Sequence, residues 1–238
     1  KLSKKYKFKI IEDASHALGS KIKNDFIGSC KYSDIAVFSF HPVKPITTAE
    51  GGMAMTNNRS LAVKMQILRN HGITRDFKTF KKKIKGYWYY EQQALGFNYR
   101  MNDIEASLGL SQLKRIKIFI KKRQAVARRY IKTLKDLPVT FQKTEPKNFS
   151  SYHLFVICIN FKKIKKKYNL LFEYLRRKKI GVNKHYLPIY SQPYYKKLKK
   201  YKKLKNVENY ASSAISIPIY HDLTSKEQSY VVKVLLHA

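Results

Sequence analysis

The stretch Asp34-Ile-Ala-Val-Phe-Ser-Phe40 is apolar in nearly every position, the pattern of a strand in a sheet covered on both faces. Upstream, Tyr6-Lys-Phe-Lys-Ile-Ile-Glu-Asp13 reads as another strand, one that ends on two carboxylates. Downstream, Gly51-Gly52 marks a turn before the short strand Met53 to Thr56. Ser60 to Asn70 then carries Leu61, Met65 and Leu68 at helical spacing, with Gly72 placed to end the helix. Strands separated by turns and helices point to an α/β layer.

Asp76 to Glu91 has no clear period and mixes basic with aromatic residues, Lys81 to Lys83 and Tyr87 to Tyr90, which predicts an exposed loop or lid. Asn102 and Glu105 form a capping-box pair, and Ile104, Leu108 and Leu113 continue an apolar helix face. This helix is expected to run on with a kink near Ile116 to Ile120. After Pro138 a smaller α/β unit is expected: a strand Tyr152 to Phe161, a helix from Lys163 to Lys179 with Leu171, Tyr174 and Leu175 inward, and a strand Gly181 to Tyr186. Thr224-x-x-Glu227 opens a last helix with Val231, Val234 and Leu235. The expected division is residues 1–118 and 119–238. The sheet starts at the first residues with no preceding partner, so the sequence reads as part of a longer chain.

With 50 Lys and Arg against 15 Asp and Glu, the net charge is +35, which raises a polyanion partner such as nucleic acid. The lysines are dispersed rather than gathered on one helix or arm, and Tyr, Ile, Phe and Asn are enriched with them. That combination fits a codon bias acting on permissive surface positions better than a binding face. Cys30 and Cys158 show neither CxxC pairing nor metal spacing, so no metal site is expected and a reducing cytoplasm suits the chain. No run approaches the roughly 18 apolar residues of a membrane span.

Asp13 ends one strand, Ser39 ends the next, and Lys44 follows in the loop, so all three emerge where open α/β sheets bind ligands. A carboxylate, a hydroxyl and a lysine are what pyridoxal phosphate needs for its ring nitrogen, its phosphate and its covalent link. Taken singly, Asp13 reads better as a strand-end cap, Ser39 as a loop hydroxyl and Lys44 as one of many surface lysines.

The strings Glu12-Asp-Ala-Ser-His-Ala-Leu-Gly19 and Phe38-Ser-Phe-His-Pro-Val-Lys44, running on to Glu50-Gly-Gly52, decide between these readings. Together with Arg69-Asn-His-Gly72, Gly96-Phe-Asn-Tyr-Arg-Met-Asn102 and His185-Tyr-Leu-Pro-Ile-Tyr190, they make a chain that resembles the DegT/StrS family of sugar-nucleotide aminotransferases. The resemblance implies the C-terminal part of a type I, aspartate aminotransferase-like fold: a remainder of the large cofactor-binding domain plus a small α/β domain. It implies pyridoxal 5'-phosphate as cofactor, with Lys44 as the catalytic lysine and Asp13, His16, Ser39 and Asn98 as further cofactor contacts. His16 and the substrate contacts His185 and Tyr186 compete with structural roles. The implied reaction moves an amino group from glutamate to a UDP-linked 4-keto-sugar in a homodimer. The KPITTAEGG and HY-x-PIY strings resemble the branch acting in pseudaminic acid biosynthesis. Lys44 argues against the related dehydratases, in which a histidine replaces the lysine. A portion that supplies a helix N-terminus for the phosphate is missing, so a catalytically incomplete fragment is the competing expectation.

Overall fold

The computed structural model describes residues 1–83, 86–198 and 201–237, and the chain divides into two compact units, Lys1–Ile116 and Lys117–Ala238. The first unit opens with the short helix α1 (Leu2–Tyr6), then β1 (Ile11–Asp13), the hairpin of β2 (Lys21–Ile22) and β3 (Asp25–Phe26), β4 (Ile35–Ser39) and β5 (Gly52–Met55). Next come α2 (Arg59–Leu68), β6 (Ile73–Thr74), β7 (Glu91–Gln92) and α3 (Asp103–Leu113). The main sheet has the order β1-β4-β5, with β1 and β4 parallel and β4 and β5 antiparallel. Ala36 and Phe38 of β4 are buried on one face, whereas Ile35 and Val37 are half-buried on the other. The strand expected from Tyr6 is shorter than its sequence pattern, because ladder pairing with β4 begins only at Ile11 and Lys7 turns left-handed with φ 52°.

Helix α2 begins at Asn58, whose side chain accepts from Leu61 N–H, and ends at Leu68 with Arg69 as its C-cap, short of the stop expected at Gly72. Gly72 has φ +73°, and a Cβ there would stand 1.7 Å from Ala94 O, so a side chain fits neither the conformation nor the space. The capping box of Asn102 and Glu105 forms at α3 as expected. Ile104 and Leu108, however, are 83% and 39% exposed, so the apolar stripe of α3 faces away from its own unit. The helix does not run on with a kink. It stops at Leu113, and a new helix begins at Ile116.

The basic and aromatic segment after β6 has one 3-10 turn (Phe77–Thr79) and is otherwise irregular; of the run Lys78 to Lys85, Ile84 and Lys85 lie outside the described residues. It is organised by one carboxylate. Glu91 accepts hydrogen bonds from the backbone N–H groups of Lys81 and Lys82, at 2.7 and 2.8 Å, and from Tyr89 OH at 3.0 Å. Gln93 Nε2 adds a further bond at 3.2 Å. These donors, the Lys81 N–H foremost, hold the Glu91 pKa down at about 2.

The second unit comprises α4 (Ile116–Leu134), β8 (Val139–Phe141), β9 (Phe155–Ile159), α5 (Phe161–Ile164), α6 (Tyr168–Arg177), α7 (Pro193–Leu198), α8 (Lys205–Ser213), β10 (Ala214–Ile217) and α9 (Ser225–Leu236). Its antiparallel sheet has the order β10-β9-β8. The core joins Tyr130 and Leu134 of α4, Leu171 and Leu175 of α6, and Val231 and Val234 of α9 to Phe155, Ile157, Ile215 and Ile217. The expected strand over Gly181 to Tyr186 reduces to one bridge, Asn183 to Ser216, while the Thr224–Glu227 capping box forms as read.

Two outcomes follow. Leu175 is fully buried, so Leu175→Ala should cost about 2–5 kcal/mol in chemical denaturation. Glu91 titrates below its unfolded value of about 4.3, so its contribution to stability is complete above that pH and is lost as the pH falls toward 2. Glu91→Gln should therefore lower the melting temperature at neutral pH and shrink the difference from the parent protein as the pH drops below about 4. A constant difference across that range would mean the carboxylate charge is not what holds the loop.

Candidate active site

Parallel pairing puts Asp13 beside Val37, so Asp13 and Ser39 both leave the sheet at its carboxyl edge. The chain turns at once after Asp13: Ala14 N–H bonds to Val37 C=O at 2.8 Å, and Ala14 is buried. Asp13 Oδ1 accepts from Ser15 N–H at 3.1 Å and from Ser15 Oγ at 2.5 Å, which fixes the carboxylate over the strand end. The Ser15 hydroxyl is the main reason the Asp13 pKa lies below the usual carboxylate range, followed by the Ser15 N–H and the charges of His16 and Lys44. Asp13 is thus held ionised and facing positive charge.

Lys44 sits in the loop that joins β4 to β5. The loop is closed at its base by Phe40 N–H to Gly51 C=O, 2.9 Å, and Thr48 N–H to Phe40 C=O, 3.0 Å. Lys44 N–H bonds to His41 C=O at 2.9 Å, which makes a tight turn, and Ser39 Oγ receives His41 N–H at 3.4 Å. Pro45, Ile46 and Thr48 are buried, so the side following Lys44 is packed into the unit while Lys44 itself is half-buried. Partial burial pulls its pKa below that of an ordinary lysine, and the Asp13 carboxylate pushes it part of the way back. The result is an amine that is easier to deprotonate and lies within electrostatic reach of an anion.

The structure therefore brings Asp13, His16 and Lys44 into electrostatic reach of one another, with Ser39 on the adjoining strand end. Asn98 lies elsewhere in the first unit, on an exposed strip lashed to the end of α2. Phe97 N–H bonds to Leu68 C=O, His71 N–H to Phe97 C=O and Tyr99 N–H to Arg69 C=O, so the peptide groups of Arg69 and His71 hold this strip in place. His185 and Tyr186 belong to the second unit. His185 Nδ1 is 2.7 Å from Ser216 Oγ, its carbonyl receives Tyr210 OH at 2.9 Å, and Tyr186 is 61% exposed. Tyr190 is tied to Glu208 at 2.8 Å. Ser15 was not singled out by the sequence reading, although a serine two positions after an aspartate is the spacing of an Asx turn. Among the described residues no cluster of His, Cys, Asp or Glu could hold a metal, and no helix is long and apolar enough to cross a membrane.

This mixed α/β fold, with a carboxylate, a hydroxyl and a loop lysine at one sheet edge, is of the type I aminotransferase class. The chain belongs to the DegT/DnrJ/EryC1/StrS aminotransferase family, which it matches over residues 1–236. It is 39% identical over 236 residues to a UDP-4-amino-4,6-dideoxy-N-acetyl-beta-L-altrosamine transaminase of Campylobacter jejuni, covering 98% of this chain and 59% of that protein. Among solved structures it resembles Helicobacter pylori PseC, an aminotransferase involved in the biosynthesis of pseudoaminic acid. The TM-score is 0.87 and the identity 35%, over 99% of this chain and 61% of that one. It also resembles the PMP form of the putative sugar aminotransferase Spr1654 of Streptococcus pneumoniae, with TM-score 0.84 and 28% identity over 98% and 60% of the two chains. The chain spans about three fifths of the length of these relatives.

Removing the hydroxyl that strengthens the Asp13 acid should raise its pKa. A carboxyl-carbon NMR titration of Ser15→Ala is expected to show Asp13 moving toward the ordinary aspartate value while Asp34, held by Lys9 and Ile10 N–H, stays where it is.

Proposed function

We propose that the chain carries the catalytic lysine of a pyridoxal-phosphate-dependent sugar-nucleotide aminotransferase. Its substrates would be glutamate and a UDP-linked 4-keto-deoxy-sugar, in the biosynthesis of pseudaminic acid or a related surface glycan. The observation that carries this reading is a half-buried Lys44, its pKa lowered by burial, within electrostatic reach of an ionised Asp13 at the carboxyl edge of parallel strands. The names of the similar proteins support the substrate class.

The residues present fit the cofactor. Bound pyridoxal phosphate supplies a cationic ring that stabilises negative charge on the carbon beside the transferred nitrogen. Asp13, kept ionised by Ser15, would hold the proton on the ring nitrogen. Lys44 would supply the amine for the covalent link and, once released from it, would carry the proton to and from the reacting carbon. Its depressed pKa matters for both jobs, because only the neutral amine is nucleophilic or basic. Ser39 would bind a phosphate oxygen and His16 would lie against the ring. Asn98, exposed on its strip, would reach the phosphate bound by a second copy of the chain, and the uncovered stripe of Ile104 and Leu108 on α3 suits such a homodimer. His185 and Tyr186 would contact the sugar nucleotide.

Borohydride reduction in the presence of pyridoxal phosphate, followed by peptide mapping, should place the pyridoxyl group on Lys44 and leave Lys44→Ala unlabelled at background. Labelling spread over the many surface lysines, unchanged by the substitution, would sink the assignment. Transfer of the amino group would then be assayed with glutamate and UDP-linked 4-keto-sugars, where Lys44→Ala should be inactive.

A further inference from the structure

The segment after Lys44 is tied down in two directions. Thr47 Oγ1 donates to Phe40 C=O at 2.9 Å, and Thr48 N–H bonds to the same carbonyl, so the loop folds back on its own strand. Thr47 N–H points the other way, to Oε1 of Gln112 on α3, at 3.1 Å across 65 residues of sequence. This hydrogen bond joins the Lys44 loop to α3.

The same helix meets the loop one turn earlier. Gly109 is buried, and a Cβ added to it would lie 2.6 Å from Thr48 Cγ2. Thr48 has little room to yield: it is 2% exposed, is β-branched, and its hydroxyl is engaged with Glu50 C=O at 2.6 Å. Gly109 and Gln112 are three residues apart and so share a helix face, one that seats Thr47 and Thr48 directly.

We infer that Gln112 is a positioning residue for Lys44: its side-chain oxygen and the close seat at Gly109 fix the loop so that the lysine amine stays half-enclosed and facing Asp13. The inference rests on the reading of Lys44 as the reactive amine. It adds a helix residue, far off in sequence from the loop, that sets how that amine is presented. Asp13 is the charged group that acts on Lys44, and His16 acts in turn on Asp13, so a loop released from α3 would change the exposure of Lys44 without altering those charges.

The test is competitive labelling of the purified chain with trace acetic anhydride across a pH series, read lysine by lysine by mass spectrometry. It is run on the parent chain, Gln112→Met, Gly109→Ala and, as a neighbour control, Ser111→Ala. The parent should show Lys44 titrating below the exposed lysines. Gln112→Met, similar in size but without the acceptor, should move the Lys44 profile up toward theirs and leave the other lysines unchanged; Gly109→Ala should do the same by displacing Thr48. Ser111→Ala should match the parent. The inference is overturned by a Lys44 profile in Gln112→Met identical to the parent's. Loss of the circular dichroism spectrum in that variant also overturns it, because the residue would then be a structural one. Cofactor trapping on Lys44 is scored separately, so its failure would remove the proposed function while this readout still reports on Gln112.

Discussion

Parallel pairing of β1 with β4 is the constraint on which the site depends. Register through Asp13 and Val37 sets two carboxyl ends side by side, and the bond from Ala14 N–H to Val37 C=O makes the chain turn away just where the carboxylate is left over the edge. β5 then returns antiparallel to β4, so the loop between them must close over the same edge, and Lys44 is carried on that loop. Shifting β1 by one residue would turn Asp13 to the opposite face of the sheet and leave Lys44 without its anion.

Carboxylates are scarce in this chain, 15 against 50 basic residues, and their placement shows what each one does. Glu105 and Glu227 close capping boxes, and Glu91 gathers a loop. Asp25, Asp34 and Asp222 pair with Lys31, Lys9 and Lys122 at the surface, where solvent screens an ion pair and little stability is gained. Asp13 differs from these: it accepts from the N–H and the hydroxyl of Ser15, and the charge of Lys44 reaches it from the neighbouring loop. In a molecule so rich in lysine, Lys44 is set apart from the exposed lysines by partial burial, as Lys184 is in the second unit.

Local signals were legible in the sequence because their causes are local. Both capping boxes and the strand ends bearing Asp13 and Ser39 depend on residues within a few positions of one another. β10 was not legible. Ala214 to Ile217 follows α8 without a turn residue and is fully buried, so its short apolar run carries no period that separates strand from helix. The direction of the α3 stripe and the task of Gln112 were hidden for a different reason. Each depends on which segment lies opposite, and 65 residues separate Gln112 from Thr47. Glu91 looked like the tail of a loop because its donors are backbone groups, which leave no trace in residue type.

Gly72 and Gly96 leave each other no room for a side chain: a Cβ on Gly72 would stand 1.7 Å from Ala94 O, and one on Gly96 2.2 Å from Gly72 N. The strip that carries Asn98 is held there by main chain against main chain. Neither glycine admits a side chain, so the main-chain seat of the strip does not depend on which residues occupy the lysine-rich surface around it.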